Sequence, residues 1–272
     1  MSDISKVFAE LNEQNKAALI AYITIGDPTV KNTPRLASAL IQGGADIVEL
    51  GIPFSDPIAD GPTIQAAVQR SLKGGARPID AVHVARTIKE DHGTPLALMT
   101  YYNPIFRFGL TKFLTAAKQS GISGIIVPDL PVEESGEYKK ACTSSSLDTI
   151  FLASPSTDAG RLKEIVSQTT GYLYLISLYG VTGIRTTLPT SAVDLVKKYR
   201  SILAGTVPLA VGFGISQPKH VHDLVRAGAD GVIVGSAFVK IVGENSRNLA
   251  KASAKLARLA RSLKKGTTRT GR

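Results

Sequence analysis

Glu49 is a carboxylate set inside an apolar strand run, Asp46-Ile47-Val48-Glu49-Leu50. Burying an unpaired carboxylate is costly, so the expectation is that Glu49 faces the open end of the sheet that this run joins. Apolar neighbours there would raise its proton affinity, as a general acid–base group requires. A second carboxylate follows on the long segment Gly51-Ile52-Pro53-Phe54-Ser55-Asp56-Pro57-Ile58-Ala59-Asp60. Two carboxylates of unequal exposure suit a reaction that needs one proton shuttle and one fixed anion. A plainer account also fits: Glu49 as a salt-bridged core residue, and Asp60 as the cap of a helix starting near Thr63. Spacing alone does not choose between them.

The last quarter of the chain carries a different chemistry. Gly212-Phe213-Gly214-Ile215-Ser216 and Gly235-Ser236-Ala237 each follow a β-branched run, and the second opens a helical pattern. Glycines let backbone N–H groups approach phosphate oxygens, a helix start adds a favourable dipole, and Ser236 adds a hydroxyl. Glycine-rich turns in both places favour phosphate binding over ordinary turn glycines and an N-cap serine. Residues 178–189, with Gly180, Gly183 and three threonines, are long enough for a lid.

These residues need elements to position them. Short β-branched runs occur at residues 19–24, 46–50, 95–100, 124–127, 149–152, 172–176, 207–211 and 231–234, about 30 residues apart on average, the rhythm of βα units. Amphipathic stretches separate them, among them 36–41, 79–88, 111–119, 161–166, 193–199 and 221–227. The longer gap between the second and third runs holds two helical patterns, 63–72 and 79–89, so one helix is inserted there. A further helix over roughly 4–13 precedes the first strand. Eight apolar strands each followed by a helix predict a (β/α)8 TIM barrel, with the extra N-terminal helix and the inserted helix after strand 2. An open doubly wound sheet is the alternative, but the first turn, Gly26-Asp27-Pro28-Thr29, is no dinucleotide fingerprint. Function in a barrel lies at the C-terminal strand ends. Those ends supply Thr24 and Asp27, Glu49, Asp56 and Asp60, Tyr101 to Asn103, Asp129, residues 177–185, 212–216 and 235–236.

Composition sets limits on the class of protein. The 272 residues are 43% hydrophobic and 20% charged, enough to bury a full core and unlike a disordered chain. No apolar run is long enough to span a membrane, and residues 1–6 carry no apolar leader. The lone Cys142 excludes a disulfide framework and a multi-cysteine zinc site, which points to a reducing, cytoplasmic setting. The net charge of +10 is concentrated: residues 240–272 hold ten basic residues against the single acid Glu244, which is +9, and leave about +1 for the rest. The cations therefore belong to a terminal helix and tail rather than to the core, and no nucleic-acid partner is expected. The expected domain is a single barrel over residues 1–263, with 264–272 a disordered, dispensable basic tail. Leu249, Leu256, Leu259 and Leu263 form the apolar stripe of the final helix.

Other chemistries fit poorly. A Schiff-base aldolase needs a strand-end lysine, and no strand run contains one. His83, His92, His220 and His222 lie in helical or loop patterns, and the last two point apart on a helix, so solvated surface suits them better than metal binding. Cys142 has no base nearby and fits an inert helix residue.

The motif from Glu49 through Asp60 to Gln65 closely resembles the signature of the tryptophan synthase alpha chain family. Tyr22-Ile23-Thr24-Ile25-Gly26-Asp27-Pro28, Met99-Thr100-Tyr101-Tyr102-Asn103-Pro104, Val127 through Ser135 and Tyr174 through Gly183 extend the match, which closes with Gly212 to Ser216 and Gly235 to Ala237. The resemblance runs from about residue 18 to 242. It implies a carbon–carbon lyase that cleaves indole-3-glycerol phosphate to indole and glyceraldehyde 3-phosphate without a cofactor or metal. It also implies a beta-chain partner in an alpha2beta2 complex, contacted through residues 53–60, Asn103-Pro104 and 129–131. By resemblance, Glu49 is the acid–base carboxylate and Asp60 the second catalytic carboxylate. Tyr174 matches the tyrosine beside the acid–base group, and Thr182 and Gly183 belong to the lid, with Thr182 reaching Asp60 on closure. Gly183, Gly214, Gly235 and Ser236 cradle phosphate, and Tyr22, Met99, Ile126, Leu152 and Phe213 line the indole slot. Two features depart from the family pattern: Leu178 stands where many members carry a basic residue, and residues 264–272 extend past the usual end. A free-standing lyase and a non-catalytic phosphate-binding barrel are the competing readings, the latter opposed by the intact carboxylates.

Overall fold

The structure, a computed structural model, describes residues 1–176, 188 and 190–269. Parallel strands β1 (Ala18–Thr24), β2 (Ile47–Gly51), β3 (Leu96–Met99), β4 (Ile122–Ile126), β5 (Asp148–Ile150), β6 (Leu152–Ala153), β7 (Leu173–Ile176), β8 (Leu209–Gly212) and β9 (Gly231–Val234) form one sheet. Its order is β5-β4-β3-β2-β1-β9-β8-β7-β6. β5 and β6 are two halves of one chain run broken at Phe151; the first half pairs with β4 and the second with β7. The run thus closes the sheet into a barrel of eight staves, as the eight expected strands require.

Around it run α1 (Asp3–Glu13), α2 (Thr33–Gln42), α3 (Pro62–Lys73), α4 (Asp80–His92), α5 (Tyr102–Phe108), α6 (Leu110–Gln119), α7 (Gly136–Ser144), α8 (Ala159–Gln168), α9 (Thr190–Leu203), α10 (Pro218–Arg226), α11 (Ser236–Glu244) and α12 (Leu249–Lys264). α1 is the extra N-terminal helix and α3 the inserted one. α5 was not expected; it sits directly after β3, in the stretch read as strand-end polar residues.

Strand alternation sorts side chains into two cores. Outward residues such as Leu19, Val48, Leu98 and Val211 meet the helix layer. Inward residues Ala18, Ile20, Ile47, Ala97, Ile126, Ile150, Tyr172, Ala210 and Ile233 fill the lower barrel. α1 seals that end, because Ile4, Phe8 and Leu11 fall on one helix face and all three are buried against the inward set. Ser2 caps this helix by accepting the Ser5 amide at 3.1 Å.

Two expectations need correction. The tail is not free: after α12 a 3-10 turn, Lys265–Thr267, is buried at Gly266 and Thr267. Ala17 N donates to Thr267 O at 2.9 Å and Arg269 N to Asn15 O at 2.8 Å. Lys264 pairs with Asp46 at 2.5 Å and Arg269 with Asp230 at 2.8 Å. The sequence showed cations without local acids, whereas the acids precede β2 and β9, far away in the chain. Residues 270–272 lie outside the described residues. His220 is the second correction: it is 4% exposed, turned inward with Val221, Leu224 and Val225 on the buried side of α10.

Candidate active site

The C-terminal strand ends enclose a cavity lined by Tyr22, Ala59, Asp60, Ile64, Met99, Pro128, Leu152, Tyr174, Ile176, Gly212, Gly214, Ile233, Gly235 and Ser236. The lining combines apolar side chains, the Asp60 carboxylate and the first residues of α11.

Glu49 lies beneath this cavity, not at its mouth. Its inward position on β2, opposite Tyr22 on β1, leaves it fully buried. The Tyr172 hydroxyl donates to Oε1 at 2.5 Å, while Oε2 is buried with no hydrogen-bond partner. No cation pairs with it among the described residues, so the salt-bridged account fails. Burial pushes the carboxyl up to about 7, only partly opposed by the Tyr172 hydrogen bond. Tyr172 is itself held neutral by burial and by the neighbouring Glu49, so it remains a donor. The hydroxyl of Tyr22 overlies Gly51, where a Cβ would stand only 2.1 Å away; a glycine is therefore needed two residues above Glu49.

Asp60 ends the loop after β2. Tyr101 holds it, donating to Oδ2 at 3.1 Å while accepting the Ala59 amide at 2.9 Å. Gln65 Nε2 fixes the Asp60 carbonyl at 2.7 Å. Burial raises this carboxyl to about 6, against the lowering effect of Tyr101. Asp60 caps nothing: Gly61 is the N-cap of α3 and no side chain bonds there. Gly235 and Ser236 meet the cavity at the first turn of α11, where a helix leaves its first amides without intrahelical partners.

Of the residues read from the sequence, Asp60, Tyr22, Met99, Leu152, Tyr174, Gly214, Gly235 and Ser236 meet in this cavity. Ile126 does not; it is fully buried in the lower barrel, one inward step below the lining. Phe213 does not either, being 2% exposed and packed in the outer core because its strand end turns it away from the axis. The tyrosine bonded to Glu49 is Tyr172, whereas Tyr174 lines the cavity above it. Thr182, Gly183 and Leu178 lie outside the described residues. Ile64, Ile176, Ile233 and Tyr172 were missed, although period-two alternation from Tyr174 and Gly235 marks three of them as inward. Elsewhere, Asp129 accepts the Tyr102 amide at 2.9 Å, and the buried Cys142 thiol is pushed up to about 12 by its surroundings. No cluster of three or more His, Cys, Asp or Glu among the described residues is placed to hold a metal ion.

A sequence profile of the family described as tryptophan synthase alpha chain matches residues 8–268. The chain belongs to the tryptophan synthase alpha chain family. It is 48% identical to the tryptophan synthase alpha chain of Methanosarcina barkeri, covering 98% of this chain and 97% of that one. It is 45% identical to that of Methanopyrus kandleri, covering 97% and 94%. Its fold superposes on tryptophan synthase from Mycobacterium tuberculosis with a TM-score of 0.89 at 35% identity, covering 98% of both chains. A tryptophan synthase complex from Pyrococcus furiosus gives 0.84 at 43% identity, covering 92% of this chain and 98% of that one. The chain is a carbon–carbon lyase of tryptophan biosynthesis, acting on indole-3-glycerol phosphate. No helix among the described residues is long and apolar enough to cross a membrane.

Proposed function

We propose that this chain cleaves indole-3-glycerol phosphate with Glu49 as the mobile acid–base group and Asp60 as the fixed anion. The observation that carries this is the isolated Glu49 carboxyl. One oxygen accepts from Tyr172, the other has no partner, and burial keeps the group protonated near neutrality. Such a carboxyl is a proton donor with its donating oxygen unoccupied.

The substrate phosphate sits at Gly235 and Ser236, where the α11 amides and the serine hydroxyl meet it. The indole ring lies between Met99, Leu152, Ile64 and Ile233, with its N–H toward Asp60. Glu49 turns up from Tyr172 and protonates indole C3, so the ring nitrogen becomes cationic beside the Asp60 carboxylate. The resulting Glu49 carboxylate takes the proton of the adjacent side-chain hydroxyl. The carbon–carbon bond then breaks, its electron pair returns to the ring, and neutral indole leaves with glyceraldehyde 3-phosphate. Glu49 ends protonated, as it began.

The chain works beside a beta chain that receives the indole, the pair forming an alpha2beta2 complex in the cytoplasm. The large apolar side chains exposed near the cavity mouth support this contact face: Ile58 is 79% and Phe106 69% exposed. The test is indole release from indole-3-glycerol phosphate, with and without a beta chain. Glu49→Gln and Asp60→Asn should each lose about 10²-fold or more. Near-normal turnover in either variant overturns the assignment of that residue.

A further inference from the structure

The ion pair between Asp27 and Arg70 is remote from the chemistry, yet three of the elements that hold the substrate meet there. Asp27 is 2% exposed and receives both Nε and Nη2 of Arg70, at 2.8 and 2.7 Å. This two-point fork fixes orientation as well as distance. Arg70 lies two turns along α3, the helix that starts directly after Asp60 and carries Ile64 into the cavity. Next to it, Ser71 Oγ donates to Ile25 O at 2.6 Å, so α3 is bonded twice to the turn after β1. A Cβ on Gly26 would lie 2.4 Å from Ser71 Oγ, which shows how closely that turn approaches.

The other face of the guanidinium rests on α11. A Cβ on Gly243 would stand 2.9 Å from Arg70 Nη2 and 3.2 Å from its Cζ, so a larger residue there would push the guanidinium aside. α11 is the helix whose first residues line the cavity. Tyr22, Ile64, Ala67, Val68 and Val239 pack as one small apolar cluster between the same three elements. Arg70 therefore spans from the turn after β1 to α11 while belonging to the helix anchored at Asp60.

We propose that the Asp27–Arg70 pair is a positioning device that sets the separation between Asp60 and the phosphate-binding start of α11. This rests on the reading that Asp60 meets the indole N–H and that Gly235 and Ser236 meet the phosphate. Neither Asp27 nor Arg70 touches substrate. Their effect falls on ligands that must reach both ends at once, because the spacing counts only for a molecule that spans it.

The test compares Arg70→Lys and Gly243→Ala with the wild type, using three ligands: glycerol 3-phosphate, indole, and an uncleavable indole-alkyl phosphate. Arg70→Lys keeps the charge that Asp27 needs but loses the fork, and Gly243→Ala displaces the guanidinium from the α11 side. Both should bind the two fragments within about twofold of wild type while binding the joined ligand about tenfold more weakly, with a similar fall in kcat/KM. Equal losses for fragments and joined ligand, or none for the joined ligand, overturn the proposal. Ser236→Asp is the control for the underlying reading: if it leaves glycerol 3-phosphate affinity unchanged, the phosphate assignment fails rather than the positioning role.

Discussion

Glu49 and Asp60 carry their proton affinities for the same reason, burial, but in settings that send them to opposite sides of the reaction. Glu49 rises to about 7 and Asp60 to about 6. The proposed cycle starts with Glu49 protonated and Asp60 ionised. kcat/KM should therefore fall as pH drops through about 6 and fall again as it rises through about 7, a narrow bell. A flat profile from pH 5 to 8 would contradict the roles. The same shift appears in stability. A carboxyl raised in the folded state stabilises fully below its unfolded value of 4.5 and loses that contribution as pH climbs through about 7. Glu49→Gln cannot ionise, so its stability relative to wild type should improve between pH 4 and pH 8, by on the order of 3 kcal/mol from the 4.5-to-7 shift. Urea unfolding at both pH values reads this directly.

At the scale of elements, α11 and α1 do opposite work at the two ends of the barrel. α11 offers its N-terminal amides to an anion, so Ser236→Asp places a competing negative charge where the phosphate belongs. The KM for indole-3-glycerol phosphate should rise steeply while kcat changes less; an unchanged KM would remove phosphate from this helix start. α1 plugs the closed end, and Phe8, 7% exposed, packs its ring 5.8 Å from that of Tyr172. Phe8→Ala should cost about 3–5 kcal/mol as a core cavity. Because the vacated space lies under the tyrosine that holds Glu49, the alkaline limb of the activity profile should also move. A stability loss with an unmoved limb would show that Tyr172 is held from elsewhere.

For the molecule as a whole, the C-terminus acts as a strap across the closed end. Lys264 reaches Asp46, Thr267 is buried against Ala17, and Arg269 shares Asp230 with Arg200. Asp46 also accepts the Leu19 amide at 2.7 Å and Asp230 the Leu209 amide at 3.0 Å, so the strap is tied to strand ends rather than to loops. Deleting residues 264–272 leaves two partly buried carboxylates short of a cation and exposes the start of β1. The thermal midpoint should drop by about 5 °C or more, with kcat/KM at 25 °C preserved because the cavity is at the other end. An unchanged midpoint would restore the picture of a free tail. We propose that residues 1–269 unfold as one cooperative unit, which calorimetry on the full chain tests.

The sequence by itself determined the class of fold and most of the site. Eight β-branched runs at a steady interval left few ways to bury both faces of each strand, and a barrel is the one with no sheet edge. The strand-end positions then named Asp60, Gly235 and Ser236 before any geometry was known, because those ends share one rim, and the family resemblance added Tyr22 and Tyr174. What the sequence could not show is depth and partnership across the chain. Glu49 reads as a mouth residue from its strand, but the curvature of the barrel puts it below the cavity against Tyr172, 123 positions away. Ile126 and Phe213 lie on the right strands and at the wrong height or face, since one residue along a strand reverses the side and two change the layer. The tail reads as disordered because its counter-charges, Asp46 and Asp230, are brought near only when β1, β2 and β9 lie side by side. Local pattern fixes which groups exist and on which element; the closed sheet alone decides which of them meet, because strands distant in the chain become neighbours only when the barrel closes.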